Sequence, residues 1–358
     1  MCYVSAMHEV PVSIAITNWN GRLYLEDCIQ AALDQTYRPD EVILVDNNSD
    51  DDGVDFVRER FPEVRIVQLE TNDGPSPARN AGLEAARNEL VFSIDNDAML
   101  HPECLATLMA NLEDDIVIVH PRSVFDGERS RIHYDGASMH YVGMMTLHHF
   151  YADLATATTE PSDIDAAISV ALLLRRSVVL DCDGYDAAHF ILFEDHDLSY
   201  RVRSRGFRIR HVPNAIVHHR EGTAGISFRK KGSYSGRRVF LHSRNHWIVI
   251  LKNHGWRAIL LGSPGLFLYE LSYLFFATKN GCLGAWIRGK FDLVKMLPAI
   301  WQKRRKVQNH RRVSDAKLLG CDNLTISPLI ERKGLVGRAQ VILDKLLRIW
   351  WKLVGWMA

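Results

Sequence analysis

The sequence lacks closely spaced cysteines: its six cysteines never form a C-x-x-C pair. Disulfide frameworks and cysteine zinc sites both need clustered cysteines, so neither is expected, and the reducing cytosol is the simplest compartment. Residues 1–10 lack the basic start and the apolar core of a secretory signal. With 47% hydrophobic and 24% charged residues, the composition is ordinary for a globular protein, which excludes collagen-like, low-complexity and wholly disordered proteins.

Lysine is absent from the first 200 residues, which contain 36 of the 43 acidic residues and only 12 arginines, a net formal charge of −24. Residues 201–358 contain the other 7 acids and 31 basic residues, a net of +24, together with seven of the eight tryptophans. A basic, tryptophan-rich segment favours contact with phosphates, in anionic lipid or in nucleic acid. The two halves are therefore expected to do different jobs.

Short apolar, β-branched runs alternate with segments of helical periodicity along the first half of the chain. Strands are predicted at 10–16, 41–45, 64–69 and 90–94, and helices at 23–33, 54–60, 78–87 and from Pro102 onward. A second block has predicted strands at 168–174, 207–212 and 215–217, and a helix that begins at 194. This alternation predicts an α/β fold with a Rossmann-like, mostly parallel sheet and helices on both of its faces.

Polar residues follow three of the predicted strands. The three clusters are Thr17/Asn18/Asn20, Asp46/Asn47/Asn48 and Asp95/Asn96/Asp97. Ligands of open parallel sheets bind outside the carboxyl ends of the strands, so three such clusters on one rim indicate a binding site. The alternative for any one cluster is that asparagine and aspartate simply form a turn.

Asp95 and Asp97 are the most informative of these residues. Two carboxylates one residue apart in a turn can face one hard cation, and Mg²⁺ or Mn²⁺ prefers such oxygen ligands, with phosphates completing the shell. A cation in that position acts as a Lewis acid and neutralises a departing diphosphate. The D-x-D sequence after an apolar strand therefore predicts a metal and diphosphate site.

A second acidic group, Glu194, Asp195 and Asp197, follows the apolar run 190–193 and opens the helix predicted at 194. Acids in the first turn of a helix are favoured by its dipole. That effect accounts for two of the three acids, but it leaves unexplained why an apolar run leads into them.

Further patterns occur in a fixed order along the chain. They are the segments 12–21, 45–49, 72–82, 95–97, 194–201 and 212–219, followed by Arg244-Asn245 with Lys252-Asn253. Together they resemble the family 2 glycosyltransferases with a GT-A fold, in particular the rhamnosyltransferase-like branch. The order of the motifs over about 240 residues makes the resemblance specific, whereas no single motif is.

The resemblance implies a role for each matched residue. Asp195 is implied as the catalytic base that deprotonates an acceptor hydroxyl during inverting displacement. The implied metal ligands are Asp97, Asp95 and His219, with His218 as the alternative to His219. The residues implied to bind the nucleotide sugar are Thr17, Asn18, Asn20, Asp46, Asn48, Arg79, Asp95, Asn96 and Glu194.

The sequence has no Q-x-x-R-W stretch after Asp195 and no set of long spanning helices, which argues against a processive polysaccharide synthase. The resemblance thus implies transfer of a single sugar from dTDP-rhamnose or a UDP-sugar, with Mg²⁺ or Mn²⁺ as cofactor. The implied acceptor is a hydroxyl of a lipid-linked or cell-surface glycan. These expectations place the protein in cell wall or polysaccharide biosynthesis.

The chain is expected to divide into a catalytic domain at 1–225 and a basic, tryptophan-rich helical region at 226–358 that associates with membranes. Residues 258–278 are apolar and long enough to span a bilayer, but Pro264 and Glu270 favour an interfacial or re-entrant helix.

Two further segments favour an anionic membrane surface. Residues 303–306 form a basic cluster, and 341–357 form a basic, tryptophan-rich amphipathic segment, for which the alternative is packing on the protein core. The expected location is the cytoplasmic side of the plasma membrane, peripheral or interfacially embedded.

Two other functions remain open at this stage. A sugar nucleotidyltransferase could use the same metal and would release pyrophosphate. A non-catalytic protein that binds anionic lipid or nucleic acid would rely on the basic half alone, but the sequence offers no aromatic and basic RNA-binding motif, so no nucleic-acid partner is expected.

Overall fold

The computed structural model describes residues 10–220, 234–325 and 335–358. The strands are β1 (Val12–Asn18), β2 (Glu41–Asp46), β3 (Arg65–Gln68), β4 (Leu90–Asp95), β5 (Ala98–Leu100), β6 (Ile116–Phe125), β7 (Glu128–Tyr134), β8 (Ala137–His140), β9 (Met144–Leu147), β10 (Ser162–Asp163), β11 (Ala171–Arg175) and β12 (Arg208–His219). The helices are α1 (Arg22–Leu33), α2 (Gly53–Arg60), α3 (Pro75–Ala85), α4 (Cys104–Met109), α5 (Arg176–Asp181), α6 (Glu194–Ser204), α7 (Gly236–Asn253), α8 (Trp256–Lys279), α9 (Leu283–His310), α10 (Asp315–Leu318) and α11 (Leu335–Val354).

One mixed sheet forms the centre of the fold, in the order β10-β12-β6-β11-β4-β1-β2-β3, with β5 paired to β12 and β7 paired to β6. Strands β4, β1, β2 and β3 are parallel to one another, as are β6 and β12. Strand β11 runs antiparallel to both of its neighbours. The predicted α/β architecture with a mostly parallel sheet is confirmed.

The ends of three parallel strands lie level with one another. In the sheet register, Thr17 is opposite Asp95, and Asn18 is opposite Asp46. The polar residues that follow β1, β2 and β4 therefore meet on one rim, as the sequence predicted.

Helices cover both faces of this sheet. Alternate residues of a strand point to opposite faces. Val12, Ile14 and Ile16 of β1 accordingly lie in the core that includes α1, whereas Ala15 lies in a second core with Ala78 of α3. Because both faces are buried, the parallel strands read as continuous apolar runs.

Several element boundaries differ from the sequence-based expectation by two or three residues; strand β11, for example, begins at Ala171 rather than at residue 168. Helix α3 begins at Pro75 rather than at residue 78, because the fixed φ and missing N–H of proline suit the first turn of a helix. The two strands expected at 207–212 and 215–217 form the single strand β12, whose register shifts between Val212 and Ile216.

The C-terminal helices pack against residues 10–220 at both ends of the region. Helix α7 packs on α6 and α9, and α11 returns to the turn between β8 and β9. There the Tyr141 ring stacks on Trp351 with centroids 4.3 Å apart, and the Tyr141 hydroxyl donates to the Leu347 carbonyl over 3.1 Å. The boundary predicted between residues 225 and 226 lies outside the described residues.

Candidate active site

The loop after β4 brings the D-x-D pair next to the predicted histidine. Strand β5 follows this loop and pairs antiparallel with the end of β12, which places Ala98 opposite His219. As a result, His219 Nε2 lies 3.2 Å from Asp97 Oδ2. The side chain of His218 points to the opposite face of the strand, where the charged side chains of Arg129 and Asp126 act on it. Burial lowers the pKa of His218.

A divalent cation fits the donors at this position. Asp95 and Asp97 supply the carboxylate oxygens that Mg²⁺ and Mn²⁺ prefer, and His219 supplies an imidazole nitrogen. His219 Nδ1 lies 3.0 Å from His133 Nδ1, so a second imidazole orients the ring with Nε2 towards Asp97. Metal-binding histidines are commonly held in this way through their other ring nitrogen.

Arg79 of α3 connects the D-x-D loop to the start of α6. Its guanidinium donates to both oxygens of Asp95, over 2.9 and 3.1 Å, and lies 3.5 Å from Glu194. Burial raises the pKa of Asp95 to about 6, although the Arg79 charge acts in the opposite direction. A buried cation thus stands between the two acidic motifs.

The polar clusters that follow β1, β2 and β4 are joined by side-chain hydrogen bonds. The Asn18 amide donates to Asp46 over 2.8 Å, and the Asn96 amide donates to the Asn18 oxygen over 2.7 Å. Asp46 also accepts from the Ser49 hydroxyl over 2.6 Å. A Cβ at Gly21 would overlap the Asn96 side chain, so the close approach of these loops requires glycine there.

The remaining rim residues lie at the opening of the same site. Thr17 is half-buried, and its carbonyl accepts from the Asn96 backbone N–H over 3.1 Å. Asn20 and Asn48 are exposed and have positive φ values of 48° and 57°. The Asn20 side chain accepts from the Asp50 backbone N–H over 2.7 Å, which fixes the loop after β2 against the loop after β1.

Asp195 is the half-buried carboxylate at the start of α6. It accepts a hydrogen bond from the Ser169 hydroxyl, and Ser169 in turn lies 2.9 Å from the Tyr185 hydroxyl. Burial raises the pKa of Asp195. Burial, together with the charge of Asp195, raises the pKa of the neighbouring Glu194 to about 8. This carboxylate is oriented by a fixed donor and holds a proton more readily than an exposed aspartate does.

The third acid of the motif, Asp197, is fully buried and belongs to an ion-pair network. It lies 2.7 Å from Arg201, 2.6 Å from Lys252 and 3.7 Å from His189. Lys252 also pairs with Asp186 over 2.6 Å. All three acids therefore have specific side-chain partners, so the helix dipole alone does not explain them.

Asp186, His189 and Asp197 place three potential metal-ligand atoms within 4.8 Å of one another. Both carboxylates are already neutralised, since Lys252 contacts each of them over 2.6 Å and Lys303 contacts Asp186 over 2.5 Å. This arrangement favours an ion-pair network that joins α6 and α7 rather than a second cation site.

The segment that leads into α6 has an unusual backbone held by α7. Phe190, Leu192 and Phe193 all have positive φ, between 61° and 73°, which is unfavourable for residues with large side chains. The Asn245 side-chain amide donates to the carbonyls of His189, Ile191 and Leu192 over 2.7, 3.0 and 2.9 Å. One side chain thus fixes the strained turn that presents Glu194 and Asp195.

Arg244, next to Asn245, supports the same segment. It donates to the carbonyls of Ala188 and His189 over 3.2 Å. On the other side, Gly74 has a φ of 94°, and a Cβ there would overlap the Phe190 carbonyl. The R-N pair was visible in the sequence, but the contacts of Ser169, Tyr185 and His133 with the site were not predicted.

Residues 13–180 match the family model described as glycosyl transferase family 2. The amylovoran biosynthesis glycosyltransferase AmsE of Erwinia amylovora is 24% identical over 234 residues, which cover 64% of this chain and 83% of AmsE. The putative teichuronic acid biosynthesis glycosyltransferase TuaG of Bacillus subtilis is 37% identical over 89 residues, 24% of this chain and 35% of TuaG. The match with TuaG therefore spans well under two thirds of that relative.

Two solved structures have a similar fold. The structure of GalNAc-T7 with UDP, GalNAc and Mn²⁺ has a TM-score of 0.58 at 14% identity, and the match covers 81% of this chain and 57% of that one. The structure of S. aureus TarS 1–349 in complex with UDP has a TM-score of 0.50 at 18% identity, covering 84% and 89%. At such identities the likeness shows a shared GT-A-like fold.

Proposed function

We propose, from the match of residues 13–180 to the glycosyl transferase family 2 model, that this protein transfers a single sugar from a nucleotide diphosphate sugar to a hydroxyl group, with inversion. The observation that carries the proposal is the meeting of two acidic motifs at the carboxyl edge of the sheet. The Asp97–His219 pair lies on one side, Asp195 lies on the other, and Arg79 bridges Asp95 and Glu194 between them.

The donor is proposed to lie along the rim formed after β1, β2 and β4. Asp46, with Thr17, Asn18, Asn20, Asn48 and Asn96, borders the nucleoside, and Arg79 lies near the diphosphate. Asp95, Asp97 and His219 would hold a Mg²⁺ or Mn²⁺ ion, which supplies positive charge to the departing diphosphate. The donor set does not favour one of these two ions over the other.

Asp195 is proposed as the catalytic base. Its carboxylate accepts the proton of the acceptor hydroxyl as that oxygen attacks the anomeric carbon from the face opposite the diphosphate. The hydrogen bond from Ser169 orients the carboxylate, and the pKa of Asp195, raised by burial, suits a group that must take up a proton near neutral pH. Glu194 stays paired with Arg79 and so helps to hold the Arg79–Asp95 ion pair in place.

The proposed donor is dTDP-rhamnose or a UDP-sugar, and the proposed acceptor is a lipid-linked or cell-surface glycan. The rhamnosyltransferase-like motifs support the former donor, and the UDP complex of the similar TarS fold is compatible with the latter. The names of AmsE and TuaG, which refer to amylovoran and teichuronic acid biosynthesis, support a role in bacterial polysaccharide biosynthesis. Catalysis on the cytoplasmic side of the plasma membrane is part of the same proposal.

The proposal is tested by measuring nucleoside diphosphate released by the purified protein from a panel of donors, with membrane extract as the acceptor source and with or without Mn²⁺. We expect metal-dependent release from one donor, and loss of at least about 100-fold in Asp195→Asn and Asp97→Ala, since each removes a group that acts on the reaction. Asp114→Asn is the matched control, because Asp114 is fully exposed.

Three results would contradict the proposal. Near-normal release by Asp195→Asn would remove the assigned base. Release of pyrophosphate from a sugar phosphate and a nucleoside triphosphate would identify a nucleotidyltransferase instead. If no donor released nucleoside diphosphate, and lipid or nucleic-acid binding were unchanged in Asp97→Ala, the protein would be a binding protein that acts through its basic residues 201–358.

A further inference from the structure

The outer side of α8 is apolar along its whole length. Its exposed large apolar side chains fall on one side of the helix at helical spacing, and they are Trp256, Leu260, Phe267, Leu268, Leu271 and Phe275. This stripe contains no charge between Arg257 and Lys279 at the two ends of the helix. A surface helix of a water-soluble protein shows the reverse pattern, with polar residues outward.

We infer that α8 lies flat in the surface of an anionic bilayer without crossing it, and that α8, α9 and α11 together form one membrane-binding face. The inference deepens the proposed function, because it says how the enzyme would reach a lipid-linked acceptor. It can be tested without turnover, since it concerns only where these helices lie.

The length of α8 alone does not decide between lying flat and spanning. Its 24 residues extend about 36 Å, enough to cross a hydrocarbon core of about 30 Å, and it is the one helix in the described part of the chain that passes a test of length and hydropathy for a span. The decisive observation is what contacts its inner side.

The middle of α8 packs directly against the turn between β8 and β9 and against α7. Tyr141, from the turn between β8 and β9, lies so close to Gly262 and Gly265 that a Cβ at residue 265 would overlap its hydroxyl. The Tyr269 hydroxyl lies 3.0 Å from His242 of α7. If α8 crossed a bilayer, these elements would have to lie at the level of the hydrocarbon centre.

The contacts of Glu270 also favour a helix that lies flat. It accepts from the indoles of Trp247 and Trp286 over 2.6 and 2.9 Å and pairs with Lys290 over 2.7 Å. The only acid of α8 therefore faces the protein and not the apolar stripe, which removes the main cost of placing this helix in an interface.

Helices α9 and α11 both adjoin α8, and each has exposed apolar side chains of its own. The Trp256 and Trp301 rings meet with centroids 5.4 Å apart where α8 and α9 adjoin, and the Trp350 indole of α11 donates to the Leu261 carbonyl over 2.7 Å. The exposed apolar side chains of α9 are Ile287, Phe291, Val294 and Trp301, and those of α11 include Ile342, Leu346, Ile349 and Leu353.

Charge identifies an anionic bilayer as the partner. The three helices contain 13 lysines and arginines against three acids, and none of the acids is exposed. Two cations of the 303–306 cluster act inside the protein, since Lys303 pairs with Asp186 and Arg304 caps the Leu251 and His254 carbonyls. The exposed cations that flank the apolar stripe, such as Arg257 and Lys295, are the ones available to lipid phosphates.

The first test is sedimentation of the full chain with vesicles of equal parts phosphatidylglycerol and phosphatidylcholine. We expect Phe267→Glu to weaken binding at least about tenfold, because it places a charge in the interface. Leu23→Glu is the matched control, since Leu23 is an 85% exposed side chain on α1 and should leave binding unchanged. UDP binding by both variants checks that the nucleotide site is intact, so that failure of this inference is distinguishable from failure of the proposed function.

The second test separates lying flat from spanning. A membrane-impermeant maleimide is applied to Arg257→Cys and Lys279→Cys in sealed vesicles, against the background labelling of the unmodified chain. Both ends of α8 are exposed in the structure, and we expect both to be labelled from the side that carries the catalytic domain. Protection of one end only would show a span and overturn the inference.

Two further results would also overturn it. Equal binding of Phe267→Glu and the unmodified chain to vesicles would show that α8 does not insert. A concentration-dependent dimer without lipid that Phe267→Glu converts to a monomer would show that a second copy of the chain covers this face.

Discussion

The side-chain amide of Asn245 donates to the carbonyl oxygen of Leu192 over 2.9 Å. Leu192 has a φ of 72° and lies two residues before the start of α6. The two residues are 53 positions apart in the chain, yet this contact and its two neighbours determine the direction in which α6 starts. The position of Asp195 therefore depends on a residue of α7 that does not itself reach the rim.

Replacing Asn245 by alanine should lower kcat at least about tenfold while leaving the KM for the nucleotide sugar nearly unchanged, because the base moves and the donor rim does not. The same change removes this donor from the Ile191 and Leu192 carbonyls, while His189 keeps the hydrogen bond from Arg244, and it should lower the free energy of unfolding by about 2–3 kcal/mol. The rate of nucleoside diphosphate release measures the first effect, and urea denaturation measures the second. Asn280→Ala is the control, since that exposed amide caps a carbonyl of α8; a KM effect as large as the kcat effect would refute the assignment of Asn245 as a positioning residue.

The two adjacent histidines of β12 offer a matched pair for the metal site. His219→Ala should raise the Mn²⁺ concentration for half-maximal binding by about 10–100-fold, because it removes an imidazole next to Asp97. His218→Ala should leave it unchanged, since that side chain faces away from Asp97. Electron paramagnetic resonance of Mn²⁺ reports binding directly, without turnover. Equal effects of the two substitutions would remove His219 from the set of ligands.

The acidic side of the pH profile should belong to Asp195. A base must be unprotonated to act, so activity falls as the pH drops through its pKa. The Ser169 hydroxyl donates to the charged carboxylate and lowers this pKa, so Ser169→Ala should raise it and move the acidic limb of kcat to higher pH. Ser177→Ala, an exposed serine bonded to Glu89, is the control. If the acidic limb of the kcat profile did not move in Ser169→Ala, the group that titrates there would not be Asp195.

Stability should fall when the pH drops below about 6.5, because several buried histidines are neutral in the folded protein. Burial lowers the pKa of His120, His140 and His196 to about 3 and that of His254 to about 4. Their unfolded pKa is about 6.5, so between that value and the folded pKa the unfolded chain binds more protons, and stability rises with pH. Each group costs about 1.4 kcal/mol at pH 5.5 relative to neutral pH.

Three site carboxylates act in the opposite direction, since the raised pKa values of Asp95, Glu194 and Asp195 favour the folded state at low pH. The four histidines outnumber them, so the net slope remains positive. Urea denaturation at several pH values measures it. His196→Phe removes one buried imidazole, neither nitrogen of which has a partner in the described part of the chain, and should reduce the slope, whereas the exposed His101→Phe should not. A slope that is unchanged in His196→Phe would contradict this account.

The sequence predicted the rim of the site because the relevant signals are local. An apolar run followed by Asp95 and Asp97 shows both a strand and its ligand-binding end, and the parallel register then places Asn18 beside Asp46. The order of the later motifs also pointed to His219, which the pairing of β5 with β12 places next to Asp97.

The contacts that orient these groups were not predictable in the same way. His133 and Ser169 reach the site from elements far away in sequence, and no motif pointed to their contacts. Asn245 belonged to a recognised motif, but its hydrogen bonds to the turn before α6 were not predicted. Strand β6 was also missed, because His120 and Pro121 interrupt its apolar pattern and proline is unusual in a central strand. Similarly, the basic cluster at 303–306 suggested lipid binding alone, whereas Lys303 pairs with a buried carboxylate.

Lys252 lies 2.6 Å from each of two carboxylates, Asp186 and Asp197, that precede α7 in the chain. A fragment that stops before α7 would leave Asp186 without either of its lysines and Asp197 with Arg201 alone, and breaking a buried pair in this way costs about 3–5 kcal/mol. The smallest fragment that can fold and work must therefore extend through α7. Solubility is better sought by changing the outward side of α8 than by shortening the chain.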